Sequence, residues 1–188
     1  KEKGIECSDR SQSVEENLDL WKGMLDGSLK EGEAVLRVKT DMHHKDPAIR
    51  DWPAFRIVTT PHPLVGERYR VWPLLDFESA VEDHLLGTTH IIRGKDLADS
   101  GSRQRYLYSY LGWEYPRVIH WGRVKIHQFG SFSTSKLRKA IEEGNYTGWD
   151  DPRVPTVRAM RCRGIQPEAL RKFMIDLGVG ETDISLSM

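Results

Sequence analysis

Residues 87–96 read GTTHIIRGKD, and this stretch decides the class of fold. Thr88 to Ile92 has the β-branched, apolar composition of a short buried strand. It ends at once in Arg93 and Gly94, so a permanent cation is carried to the strand tip and the chain then turns. In an open parallel sheet, ligands bind in the crevice beyond the carboxyl ends of the strands. Gly94 lets the backbone turn tightly and lets a ligand come close. A guanidinium there is a rigid fork suited to a carboxylate or phosphate. The competing reading is a structural ion pair of Arg93 with Asp83, Asp96 or Asp99.

The flanking sequence alternates strand and helix from about residue 68. RYRVWPLLDF (68–77) is strand-like, with Pro73 forcing a bulge or an edge position. SAVEDHLLG (79–87) reads as a short helix with Val81, Leu85 and Leu86 inward. THIIRG (89–94) is a strand, SRQRYLYSYLGW (102–113) a helix and RVIHWGRVKI (117–126) another strand. Such alternation argues for an α/β fold with a parallel sheet covered by helices. After Ile126 the pattern turns helical, over Lys136 to Glu143, Thr156 to Arg163 and Pro167 to Leu177.

Upstream, SVEENLDLWKGMLDG (13–27) carries both marks of a helix. Ser13 and Glu16 have capping-box spacing and Gly27 is a natural stop. Val14, Leu18, Trp21 and Leu25 form one apolar stripe, which assigns Trp21 and Leu25 to the core. AVLRVKTD (34–41) alternates as a half-buried strand and AFRIVTT (54–60) is another. The polar, proline-broken DMHHKDPAIRDWP between them is a loop. These pieces predict a small subdomain inserted in, or appended to, the alternating strand–helix region downstream of it.

The 188 residues, 38% hydrophobic and 30% charged, suit one sizeable core or two small ones. No apolar run approaches the ~20 residues that span a bilayer. The chain opens on Lys1, Glu2 and Lys3 rather than methionine, which reads as a cut end with part of the protein missing. Cys7 and Cys162 alone cannot build a disulfide framework or a zinc site, so a reduced cytoplasmic compartment is expected. His43 and His44 lie in a polar loop and read as surface residues; no metal site is expected.

The net charge of zero hides an uneven distribution. Residues 1–102 hold 14 Lys/Arg against 19 Asp/Glu, whereas residues 103–141 hold eight basic residues against Glu114 alone. A basic block in a neutral chain suggests a polyanionic partner on one face, or a solvated face neutralised elsewhere. FGSFSTSKLRKAIEEG (129–144) sharpens the first option. Ser131, Ser133, Thr134, Ser135 and Lys136 run straight into a helix, combining hydroxyls, exposed amides and a lysine as an anion cradle. Asp150 and Asp151 have the look of paired acid–base carboxylates.

Five blocks appear in one order: CSDRSQSVEENLDLWKGMLDG, AVLRVKTDM, WPLLDFESAVEDHLLGTTHIIRGKD, STSKL and GWDDPRVPTVRAMRCRG. In this order the chain resembles glutamyl-tRNA synthetase, the archaeal or eukaryotic class I type akin to glutaminyl-tRNA synthetase. GTTHIIRG and GWDDPRVPT are specific to that pair of enzymes. The resemblance implies a split Rossmann fold: residues 66–130 as the second half of its parallel sheet, and residues 1–65 as part of an inserted α+β acceptor-stem-binding subdomain. Residues 131–188 would be a KMSKS-like loop and a helical stem-contact region. It implies activation of glutamate with ATP and magnesium, then acyl transfer to tRNA(Glu), with tRNA(Gln) as a wider option. No membrane partner is implied.

Residue by residue, the resemblance puts Arg93 on the substrate γ-carboxylate, where glutamine enzymes have an uncharged residue. Leu75 and Val118 would shape the amino-acid pocket; Leu75 replaces a tyrosine frequent in the family. Gly94, Arg123, Val124, Thr134, Ser135 and Lys136 would contact ATP, with Ser135 and Lys136 the catalytic pair of the loop. Ser133 replaces that loop's first lysine. Arg158, Arg161 and Arg163 would touch tRNA phosphates or form a solvated face, and within the resemblance Asp150 and Asp151 are turn and helix-start residues rather than an acid–base pair. The family's HIGH motif and anticodon-binding domain are not in these residues, so the chain alone is expected to be inactive. The alternatives are a glutaminyl-tRNA synthetase fragment and a non-catalytic tRNA-binding module.

Overall fold

A computed structural model describes residues 2–127 and 133–187. The chain divides into two compact units, Lys1–Ile91 with Asp96–Val118, and Ile92–Lys95 with Ile119–Met188. Each is described by itself.

In the first unit, α1 (Val14–Asp26) begins on the expected capping box, Ser13 and Glu16 satisfying one another's backbone amides. It stops at Gly27, whose φ of 94° favours glycine. The strands β1 (Val35–Arg37), β2 (Pro53–Ile57) and β3 (Val71–Pro73) form an antiparallel sheet in that order. This corrects the expectation that RYRVWPLLDF joins a parallel sheet. Residues 58–70 fold back through a His62–Gly66 bridge, so β3 returns beside β2 and puts Pro73, which has no amide to donate, on an edge strand.

Helix α2 (Leu75–Leu85) follows, then β4 (His90–Gly94) and α3 (Ala98–Leu111). Trp52, Ala54, Ala80, Leu107 and Tyr108 make the core, with Phe55, Phe77, Val81, Trp113 and Tyr115 around them. Buried Gln104 locks α3 to α2. Its Nε2 donates to the Asp76 carbonyl at 3.2 Å and to Ser79 Oγ at 2.8 Å, and its Oε1 accepts from the Tyr115 hydroxyl at 2.7 Å. Arg103 pairs with the Asp76 carboxylate at 2.6 Å.

Two expected core faces are corrected. Leu85 and Leu86 are 75% and 77% exposed, because α2 turns its Phe77, Ala80 and Val81 face to the core. On α1 the buried residues are Gly23 and Met24, while Val14, Leu18 and Leu25 are exposed. The helix is rotated so that only the margin of the stripe packs, through Trp21 edge-on to Phe55 at 5.1 Å.

β5 (Arg117–Trp121) pairs with β4, and the boundary between the units crosses both strands. The single strand expected over 117–126 is two: the ladder breaks at Gly122, and β6 (Val124–Ile126) pairs in parallel with an unforeseen β7 (Ile184–Leu186). The remaining elements of the second unit are α4 (Thr134–Glu142), α5 (Val157–Cys162) and α6 (Pro167–Leu177), close to the three expected helices. Leu137, Val154 and Ala159 form its core with Ile141, Tyr146 and Trp149. The architecture is α/β with short separate sheets. Among the described residues no helix is long and apolar enough to cross a membrane.

Candidate functional site

Strand β4 delivers Arg93 to its end, as expected. Ile91 is buried beneath it, Arg93 and Gly94 are half-buried, and a single 3-10 turn over Lys95–Leu97 follows without a linker. Arg93 is engaged in an interaction within the chain. Two residues on, Lys95 Nζ lies 2.9 Å from Asp183 Oδ1. The same oxygen accepts the Arg123 backbone N–H at 2.8 Å, and the Ile184 N–H donates to the Arg123 carbonyl at 2.9 Å. Lys125 Nζ stands 3.8 Å from the other carboxylate oxygen. The Arg123 amide, then Lys95, hold the Asp183 carboxyl below the usual carboxylate range. Within the second unit, the end of β4 and the Arg123–Val124 start of β6 are therefore tied to one carboxylate. Arg123 is exposed there and Val124 half-buried.

Asp183 was not anticipated from the sequence. Its only local signal is the alternation in DISLS, which belongs to β7. The contacts that give it a role come from residues 60 and 88 positions away and carry no sequence signature.

The loop preceding α4 is described from Ser133 onward; the Ser131 part of the expected anion cradle lies outside the described residues. Ser133 caps the helix, its Oγ accepting from the Lys136 N–H at 3.3 Å. Thr134, Ser135 and Lys136 occupy the first turn, all exposed, and no acidic residue shares that turn. A helix N-terminus beside an ammonium is a favourable place for phosphate.

What seats this turn is the GWDDPRVPT segment. Leu137 packs against Val154 and Ala159. Asp151, 3% exposed, accepts from Thr147 N at 3.0 Å and Oγ1 at 3.1 Å, and from Arg153 N at 3.0 Å, Nε at 2.9 Å and Nη2 at 2.6 Å. Arg153 also lies over the Tyr146 ring at 5.0 Å. Asp150 is exposed, so the pair is no acid–base dyad, and Asp151 anchors the turn as expected. The helix start is capped by Thr156 instead: its Oγ1 donates to the Trp149 carbonyl and accepts from the Ala159 N–H at 3.0 Å.

The Arg153 side chain, then the Thr147 and Arg153 amides, depress the Asp151 carboxyl far below its ordinary value. A depressed carboxyl stabilises the fold fully above its unfolded value, about 3.9, and loses that contribution as pH falls toward the folded value. Thermal melts from pH 6 to pH 2.5 should therefore show Asp151→Asn lowering Tm by about 5 °C at pH 6. The gap should narrow below about pH 4. A pH-independent gap would mean the carboxylate charge is irrelevant to the turn.

Arg158 and Arg161 on α5 are exposed and, with Arg171 of α6, line a groove of about 640 Å³ floored by Met160, Ile165, Leu170 and Met174. Arg163 follows α5 as its C-cap, exposed and engaged within the chain. Leu75, 61% exposed at the start of α2, and half-buried Val118 on β5 belong to the first unit. His43 is exposed, and the His44 Nδ1 accepts from the Asp46 N–H at 3.1 Å. Among the described residues no three His, Cys, Asp or Glu side chains gather where they could hold a metal ion.

The family model described as "tRNA synthetases class I (E and Q), catalytic domain" matches residues 1–187, and the chain belongs to that family. The curated relatives narrow the likeness. The chain is 77% identical over 188 residues to the glutamate–tRNA ligase of Methanothrix thermoacetophila, covering 100% of this chain and 33% of the relative. It is 63% identical to that of Archaeoglobus fulgidus, over 100% of this chain and 34% of the relative. For Pyrococcus horikoshii the identity is 54%, over 100% and 33%. The chain thus spans about a third of the length of the curated relatives it matches. A solved glutamate tRNA ligase from Elizabethkingia meningosepticum, in complex with its amino acid, aligns with TM-score 0.39 and 19% identity over 71% of this chain and 25% of that one.

Proposed function

We propose that this chain is part of a glutamate–tRNA ligase. A carboxylate oxygen of glutamate attacks the α-phosphorus of ATP, the bond to pyrophosphate breaks, and glutamyl-adenylate forms. A hydroxyl of the terminal ribose of tRNA(Glu) then takes the acyl group, releasing AMP. The observation that carries this reading is Arg93 at the end of β4, two residues before Lys95, whose Asp183 partner also holds the Arg123–Val124 strand. The residue two places beyond that cation is thereby joined to the strand that this reading gives to ATP. Family membership and the relatives' names support the reaction.

In this reading Arg93 grips the γ-carboxylate, and Leu75 and Val118 wall the amino-acid pocket. Gly94, Arg123 and Val124 take the nucleotide. Thr134, Ser135 and Lys136 meet the phosphates, where Lys136 stabilises charge that builds as pyrophosphate departs. ATP enters as its magnesium complex, the ion carried on the phosphates. Arg158, Arg161 and Arg163 face tRNA phosphates. The organisation proposed is residues 1–65 in the acceptor-stem-binding insertion, 66–130 in the second Rossmann half and 131–188 in the loop and helical stem-contact region, in a cytoplasmic enzyme.

The test is ATP–pyrophosphate exchange by the whole protein in the presence of tRNA(Glu), comparing glutamate with glutamine. The expected preference is at least about 10³-fold for glutamate, because a glutamine side chain cannot match the charge of the half-buried guanidinium. Preference for glutamine would move the protein to the other branch of its family. Absence of exchange with either, alongside tRNA binding that weakens steeply with salt, would favour a binding module built on the basic 103–141 stretch.

A further inference from the structure

The strand that the proposed function gives to ATP is held by a segment to which that reading assigns no contact with substrate. Residues 180–186 wrap the break between β5 and β6. Gly122 N–H donates to the Gly180 carbonyl at 2.7 Å, Arg123 N–H to Asp183 Oδ1 at 2.8 Å, and Ile184 N–H returns to the Arg123 carbonyl at 2.9 Å as β7 begins. A Cβ on Gly122 would sit 2.3 Å from the Thr182 carbonyl oxygen, so the two backbones touch there and a side chain has no room. Beside them His120 Nδ1 lies 3.3 Å from Glu181 Oε1.

Asp183 does more than close this wrap. Its Oδ1 accepts the Arg123 amide and lies 2.9 Å from Lys95 Nζ, so a single oxygen joins the start of β6 to the residue two places beyond Arg93. Lys95 and Asp183 keep 40% and 33% of their side-chain surface exposed. An ion pair that open contributes little to folding. Its geometric effect is another matter, since a displacement of about 1 Å in a reacting site can cost about 10²-fold in rate.

We propose that Asp183 is a positioning residue for adenylate formation. It fixes the spacing between the amino-acid end of β4 and the nucleotide strand β6, so that glutamate and ATP meet in register. The inference rests on the proposed function and gives a role in the reaction to a residue that this reading names only as a tie between two strands.

The experiment uses the whole protein with Asp183→Ala, Asp183→Asn and Lys95→Met. Three readouts are taken: exchange with glutamate and tRNA(Glu), ATP affinity by titration calorimetry, and thermal melting. Asp183→Ala should raise both the KM and the Kd for ATP about tenfold. Asp183→Asn keeps an acceptor for the Arg123 amide but loses the Lys95 pairing, so it and Lys95→Met should each raise them about threefold. Combining those two should add nothing to either alone, the mark of a shared contact. Melting should move by less than about 3 °C.

ATP constants within twofold of the parent in all variants would overturn the proposal. So would loss of kcat in proportion to a falling Tm with KM unchanged, which is what a merely structural residue gives. Should Asp183→Ala not fold, the Asp183→Asn and Lys95→Met pair decides. If the parent shows no glutamate-dependent exchange, the proposed function fails while the ATP titrations still judge Asp183.

Discussion

Replacing Arg93 by leucine should lower kcat/KM for glutamate in ATP–pyrophosphate exchange by about 10³-fold, roughly 4 kcal/mol of transition-state stabilisation. ATP affinity should stay within about twofold. The asymmetry arises from the position. Arg93 is the fourth residue of β4, half-buried over an apolar strand, where a carboxylate reaching the guanidinium would be partly shielded from water. A charged two-point hydrogen bond there is stronger than a neutral one and has no substitute in leucine. Arg93→Lys keeps the charge but loses the planar fork, so it should fall between, about 30-fold below the parent. Because Arg93 also has an interaction within the chain, melting curves should accompany the kinetics. If the glutamate constant barely changes in a folded Arg93→Leu protein, the residue does not read the substrate side chain.

The second large effect is expected at Lys136. Its alanine variant should lower kcat about 10²- to 10³-fold while the KM for glutamate stays near the parent value, since in the proposed reading the lysine would act on charge present mainly in the transition state. The structure adds a prediction about folding. Lys136 lies in the first turn of α4, where the helix dipole disfavours a cation, and no acidic side chain in that turn compensates. The Ser133 cap uses the Lys136 backbone, which alanine retains. Lys136→Ala should therefore fold at least as well as the parent, gaining about 0.3–1 kcal/mol. A variant that loses activity only by melting would contradict this assignment.

The two experiments probe groups that the sequence marks with unequal clarity. Arg93 stands out as a cation at the end of a β-branched run followed by glycine, although spacing alone fits a structural ion pair with Asp83, Asp96 or Asp99 as well as a ligand. Lys136 follows a Ser/Thr run of the kind that caps many helices, and its capping by Ser133 is what local sequence predicts. Asp151 was legible as a turn residue, whereas its five hydrogen bonds to Thr147 and Arg153 needed the folded loop.

Local chemistry was enough to determine α1 with its capping box and Gly27 stop, the strand that carries Arg93 toward its end, the restriction of Pro73 to a bulge or an edge and the three helices after residue 133. These depend on spacing over three or four residues, on β-branching and on missing donors, all of which the chain carries with it. Only the tertiary structure decided which side of α1 and α2 is buried, that β3 runs antiparallel on β2, that the 117–126 strand breaks at Gly122, and that Asp183 joins β6 to the end of β4. Those outcomes come from partners 14 to 88 residues distant, and a hydrophobic stripe or a lone carboxylate does not specify which partner will meet it.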